Sequence, residues 1–67
     1  MDVHKRLGKN IRRLRKQEGF TQETLADQTT IHRNYISALE RGHGNPSVDA
    51  LEKLAVGLNV NISTLFE

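Results

Sequence analysis

The stretch from Thr21 to Gly42, TQETLADQTTIHRNYISALERG, decides how this sequence folds. Leu25 and Ala26 turn inward from one short helical pattern, and Ile36 and Leu39 from a second. Thr21 is a suitable N-cap for the first, with Glu23 in a first turn where the helix dipole favours an acid. That helix is expected to run to about Gln28, because Thr29 and Thr30 are β-branched and extend helices poorly. Ile31 plugs the turn, and the next helix runs from His32 to Arg41, where Gly42 stops it. The connection is too short to be a linker, so the two helices must pack on each other.

Working outward, Val3, Leu7, Ile11 and Leu14 recur at i, i+4, i+8 and i+11, the inward face of a helix from residue 3 to Glu18 that Gly19 ends. Gly42-His43-Gly44-Asn45-Pro46 is a loop, and Ser47 caps a further helix with Leu51, Leu54, Ala55 and Leu58 inward. Asn61 or Ser63 caps a last turn carrying Leu65 and Phe66. No strand pattern, repeat or linker interrupts the chain. The expectation is an all-α, compact five-helix domain over residues 1–67, with the tightly joined pair as its second and third helices.

A chain of 67 residues buries only about 60% of its unfolded surface. Without cysteine it has neither disulfides nor thiolate-bound zinc to supplement the core, so helix packing, with help from dimerisation, must supply its stability. No apolar run approaches the roughly 18 residues of a membrane span, and the basic start lacks a signal peptide's apolar segment; no membrane association and a reducing cytoplasm are expected. The net charge of +2 hides an asymmetry. Residues 1–16 hold seven Lys/Arg and one acid, whereas residues 17–67 hold three and seven. Such a basic flank can steer a protein toward a polyanion, although each cation taken singly also suits a solvated face.

On a wheel of about 100° per residue, Leu39, Tyr35 and Ile36 share the side of the third helix that should be buried. Arg33, Ser37, Arg41, Asn34 and Ala38 fall opposite. An α-helix fits the major groove of B-DNA, where Arg suits guanine, Asn adenine, Ser several partners and Ala the thymine methyl. The same residues also make an ordinary solvated face. The preceding helix favours the groove, since two helices so joined outline a helix-turn-helix whose first member aims its N-terminus at phosphate. Thr21 and Gln22 stand at that N-terminus, where capping is compatible with phosphate contact.

Ile11-Arg12-Arg13-Leu14-Arg15, Gly19-Phe20-Thr21-Gln22, Leu25-Ala26, Ile36-Ser37, Leu39-Glu40-Arg41-Gly42, Pro46-Ser47, Leu51 and Leu54-Ala55 resemble, in order and spacing, the lambda repressor and Cro-like (XRE-type) helix-turn-helix family. The resemblance covers nearly the whole chain. Arg33-Asn34-Tyr35-Ile36-Ser37 with Glu40-Arg41 is most similar to controller proteins of restriction-modification systems and to small phage or mobile-element regulators. It implies base-facing roles for Arg33, Asn34, Ser37 and Ala38, and backbone phosphate contact for Gln22, Tyr35, Arg41 and the loop residue Asn45. It also implies a structural ion pair between Arg15 and Glu40. The family pattern departs at Thr30, where a glycine is usual: either the turn takes another backbone path or it stores strain.

Two copies reading half-sites about 34 Å apart gain affinity and require a pseudo-palindromic operator, so a homodimer is expected. Val56, Ile62 and Phe66 are the apolar residues least needed by the monomer core; Ile62 and Phe66 serve as well to finish it. His32 can reach DNA or simply cap and solvate its helix. His4, His32 and His43 form no i, i+4 pair, and no metal, cofactor or small-molecule ligand is expected. No nucleophile, base and orienting group occur together, which argues against an enzyme. The sequence therefore reads as a sequence-specific double-stranded-DNA-binding transcriptional regulator, with an antitoxin-like protein-binding module as the alternative.

Overall fold

The computed structural model describes residues 2–67. Its elements run α1 (Val3–Gln17), α2 (Gln22–Thr29), α3 (Arg33–Glu40), α4 (Val48–Gly57) and a C-terminal 3-10 turn (Ile62–Phe66). The described residues thus form four α-helices and a 3-10 turn rather than five helices, and contain no strand. Asn61 precedes that turn but makes no side-chain capping bond, and five residues with i→i+3 geometry cannot establish an α-helical ladder. No helix is long and apolar enough to cross a membrane among the described residues.

The helix starts follow one chemical rule. Asp2, Thr21, His32 and Ser47 each place a side-chain acceptor against an amide of the first turn: His4, Thr24, Asn34 and Ala50 respectively. Asp2 accepts the His4 amide at 2.8 Å, and that bond holds its carboxyl below the ordinary value. The helix ends are alike too, each followed by a left-handed residue: Gly19, Thr30, Gly42 and Asn59. After Gly19 the Phe20 amide donates to Arg15 O at 3.0 Å, and after Gly42 the His43 amide donates to Ala38 O at 2.9 Å, closing otherwise unpaired carbonyls.

Leu7, Ile11, Leu14, Leu25, Ile36, Leu39, Leu54, Ala55, Leu58 and Leu65 form the core, with Phe20, Ala26, Ile31, Leu51, Val60 and Phe66 packed around it. Two residues placed inward by periodicity lie at its rim. Val3 is 50% exposed, being the first residue of α1. Tyr35 is 40% exposed: α3 is held mainly between α1 and α2, and only Ile36 and Leu39 of α3 are fully covered.

The backbones of α1 and α3 come close together at their seam. Gly8 is buried in the middle of α1, and a Cβ there would collide with the Leu39 carbonyl oxygen and come within 2.9 Å of the Glu40 oxygen. This contact explains why a residue that weakens helices stands mid-helix. About two helical turns further on, Arg15 Nε donates to Glu40 Oε2 at 2.7 Å and its Nη2 to Oε1 at 3.0 Å. Arg15 Nη1 also donates to Phe20 O at 2.8 Å. The two side chains are 11% and 5% exposed, so the pair is bidentate and largely desolvated. Across α1, Asn10 Nδ2 donates to Leu65 O and Glu67 O, both at 2.9 Å, tying the 3-10 turn to the first helix.

Thr30 resolves the question posed by its missing glycine: it keeps a left-handed turn, at φ 59° and ψ 18°. Thr29 supports it, its hydroxyl donating to Leu25 O at 2.7 Å and accepting the Ile31 amide at 3.2 Å. A left-handed non-glycine residue costs roughly 1–2 kcal/mol, whereas glycine adds about 0.4–1 kcal/mol of unfolded-state entropy. Thr30→Gly should therefore stabilise the fold by up to about 1 kcal/mol, raising the midpoint of thermal unfolding by as much as several degrees in a chain this short; a lower midpoint would show that the strain in the turn is smaller than the entropy glycine adds. Glu40→Gln leaves Arg15 without its charge partner and should cost about 3–5 kcal/mol, while the double replacement Arg15→Met with Glu40→Leu should recover most of that loss. Unfolding of Glu40→Gln at the parent's temperature would remove this account of the pair.

Candidate nucleic-acid interface

The outer face of α3 is built from its inner one. Ile36 and Leu39 are buried, and at about 100° per residue the helix must then present Arg33, Asn34, Ser37, Ala38 and Arg41 away from the core. Arg33, Asn34 and Arg41 are exposed, and Ser37 and Ala38 are half-buried between them. Arg41 Nη1 donates to Ser37 Oγ at 2.9 Å. The guanidinium therefore folds back along the outer face of α3, and the Ser37 hydroxyl keeps its proton for an outside acceptor.

His32 Nδ1 accepts the Asn34 amide at 3.0 Å. A ring nitrogen that accepts carries no proton, so in the neutral ring the proton lies on Nε2 and gives the N-terminus of α3 one outward donor. Thr21 Oγ1 accepts the Thr24 amide at 3.0 Å and sits 2.9 Å from Thr24 Oγ1. Gln22 Nε2 donates to Glu40 Oε1 at 3.2 Å. The residue at the start of α2 is thereby coupled to the ion pair that seats α3, a link with no signal in the sequence because its partners are eighteen positions apart. Asn45 is exposed in the loop before α4.

Thr21, Gln22, His32, Arg33, Asn34, Ser37 and Arg41 thus belong to one pair of helices. Tyr35 stands on the flank of α3, open enough for its phenol to meet an external group. Of the apolar residues considered for self-association, Val56 is 74% and Ile62 40% exposed. Phe66 instead packs against the core, which accounts for it without a second chain. No group of three or more His, Cys, Asp or Glu is placed to hold a metal among the described residues.

Comparison with known proteins gives a consistent result. A helix-turn-helix family model matches residues 11–65. The uncharacterised HTH-type transcriptional regulator y4dJ of Sinorhizobium fredii is 43% identical over 61 residues, covering 91% of this chain and 79% of that protein. The restriction-modification controller protein C.AhdI from Aeromonas hydrophila superposes with a TM-score of 0.91 at 36% identity, over 94% of this chain and 96% of that one. C.Esp1396I bound to a 19 base pair DNA duplex superposes with a TM-score of 0.88 at 32% identity, over 98% and 88% of the two chains. On this sequence match and this shared architecture, the chain belongs to the XRE-type helix-turn-helix family.

Proposed function

We propose that this chain is a sequence-specific transcriptional regulator whose residues 1–67 form one DNA-binding domain, laying α3 in the major groove of a pseudo-palindromic operator as a homodimer. The observation that carries the reading is the outer face of α3. Arg33 and Asn34 are exposed on a helix whose opposite side is held in the core by Ile36 and Leu39. Arg33 and Asn34 are the base readers, through bidentate bonds to guanine and adenine edges, with Ser37 and Ala38 beside them. Thr21, Gln22, His32, Tyr35, Arg41 and Asn45 contact the sugar-phosphate backbone and set the register. That a similar controller protein forms a complex with a 19 base pair DNA duplex supports DNA binding by a domain of this shape.

The size of the domain is compatible with dimerisation. It measures 29 × 22 × 21 Å, so two copies lying side by side can reach half-sites about 34 Å apart on one duplex face. Val56 and Ile62, exposed near the end of α4 and at the start of the 3-10 turn, supply the apolar centre of that contact.

Selection from random duplex DNA should recover a palindrome with guanine and adenine steps in each half. Arg33→Ala should relax the preference at one position and weaken binding by about 1–3 kcal/mol. Arg41→Ala should weaken all sequences alike and lower the salt slope by about 1. Binding that is insensitive to salt and shows no preferred sequence, together with tight capture of a protein partner, would replace this reading with the antitoxin-like one. Val56→Glu should shift sedimentation from dimer to monomer. A parent that sediments as a monomer at high micromolar concentration would remove the dimer from the proposal.

A further inference from the structure

Apart from Arg15, the cations of α1 enter neither the ion pair with Glu40 nor the outer face of α3. Around the helix, Arg12, Lys5, Lys16, Lys9, Arg13 and Arg6 occupy a continuous arc of about 120°. Every residue on that arc is Lys or Arg, and all six are exposed. Along the axis, Lys5 to Lys16 spans about 16 Å at 1.5 Å per residue. Among the described residues the only ion pairs are Arg15 with Glu40 and His4 with Asp2, so no residue of the arc is held in an ion pair. Arg13 makes one long bond, 3.4 Å, to Asn10 Oδ1.

The arc lies opposite Leu7, Ile11 and Leu14 and therefore faces directly away from the core. It adjoins α3 only along the seam, where Lys5 sits beside Gly42 and Gly8 beside Leu39. A duplex lying along α3 can be touched by the near edge of the arc, Arg12 and Lys5; the far edge, with Lys9, Arg13 and Arg6, turns away from it.

We infer that the outer face of α1 is a second nucleic-acid surface, taking the phosphate backbone of a stretch of duplex other than the one in which α3 lies. An interface with another protein is centred on buried aromatic or apolar anchors, and this arc contains none. Like-charged side chains of high entropy, evenly spaced along a rod, fit a phosphate backbone, which rewards cations with counterion release and asks for no base reading. The same chemistry is offered by the flank of an operator bent back against α1 and by a separate duplex. This inference does not depend on α3 being the reading helix.

The test compares the parent with the triple variant Arg6→Gln, Lys9→Gln, Arg13→Gln, at exposed positions of the far edge that make no ion pair among the described residues. Thermal unfolding of the two should coincide. On a duplex with long flanks, the variant should lose affinity and its salt slope should fall by about 2 to 3, close to 0.9 for each cation removed. On a duplex trimmed to the selected site, both proteins should behave alike, which identifies a bent flank. If instead the parent, but not the variant, captures a second labelled duplex of unrelated sequence, the surface takes a separate molecule, and the inference stands equally. Equal loss on trimmed and flanked duplexes would overturn it, because the arc would then share the duplex held by α3. So would a variant identical to the parent on every duplex, whether or not it lost binding to a poly-glutamate peptide, the result that would mark an acidic protein partner. Arg33→Ala run in parallel separates the two proposals: it reports base preference through α3 and leaves the flank-dependent slope in place.

Discussion

The position of α3 depends on the seam it shares with α1. Gly8 lets the two backbones approach until the Leu39 and Glu40 carbonyls occupy the space of a missing Cβ. Arg15 then closes the far end of the seam with a bidentate grip on Glu40. Removing two charges from water is costly, and such a pair adds less to stability than its short distances suggest. Its larger effect is directional: a guanidinium fork accepts a carboxylate in few orientations, so the rotation of α3 about its axis is fixed, and with it the direction of Arg33 and Asn34. Gln22 joins the same carboxylate, so the start of α2 and the end of α3 share one anchor.

That anchor positions the candidate site although most of its side chains are exposed. A helix of eight residues such as α3 is too short to persist alone in water. It is held by Ile36 and Leu39 from below, by the His32 cap at one end and by the left-handed Gly42 closure at the other. The strained Thr30 turn sets where α3 begins relative to α2. Asn10 performs a similar service at the opposite side of α1, holding the 3-10 turn that carries Ile62 and Leu65. The first helix is therefore the common support of the outer face of α3, the C-terminal turn and its own outward row of cations.

The helices and their ends were legible along the chain because the signals are local. A capping oxygen acts within three residues and a left-handed stop within one turn, so Thr21, Ser47, Gly19 and Gly42 could be read where they stand. The 3.6-residue period located Leu7, Ile11, Leu14, Ile36 and Leu39 correctly. It misplaced Val3 and Tyr35, since periodicity says which way a side chain points and not whether a neighbour covers it. It also overstated the last element, where five residues make only a 3-10 turn.

The sequence by itself determined the all-helical class, the two tightly joined central helices, the charge asymmetry and the polar character of the outer face of α3, because each rests on spacing within one segment. Family resemblance added the partnership of Arg15 with Glu40, which no local pattern contains. Only the tertiary structure decided that Gly8 is a contact point, that Gln22 shares the carboxylate of Glu40, that Asn10 clamps the C-terminal turn and that Thr30 adopts a left-handed turn. Each of these depends on which backbone atoms arrive beside a given side chain, or on the path the backbone takes through a turn. For the contacts, the arrival is fixed by the packing of residues far apart in the chain.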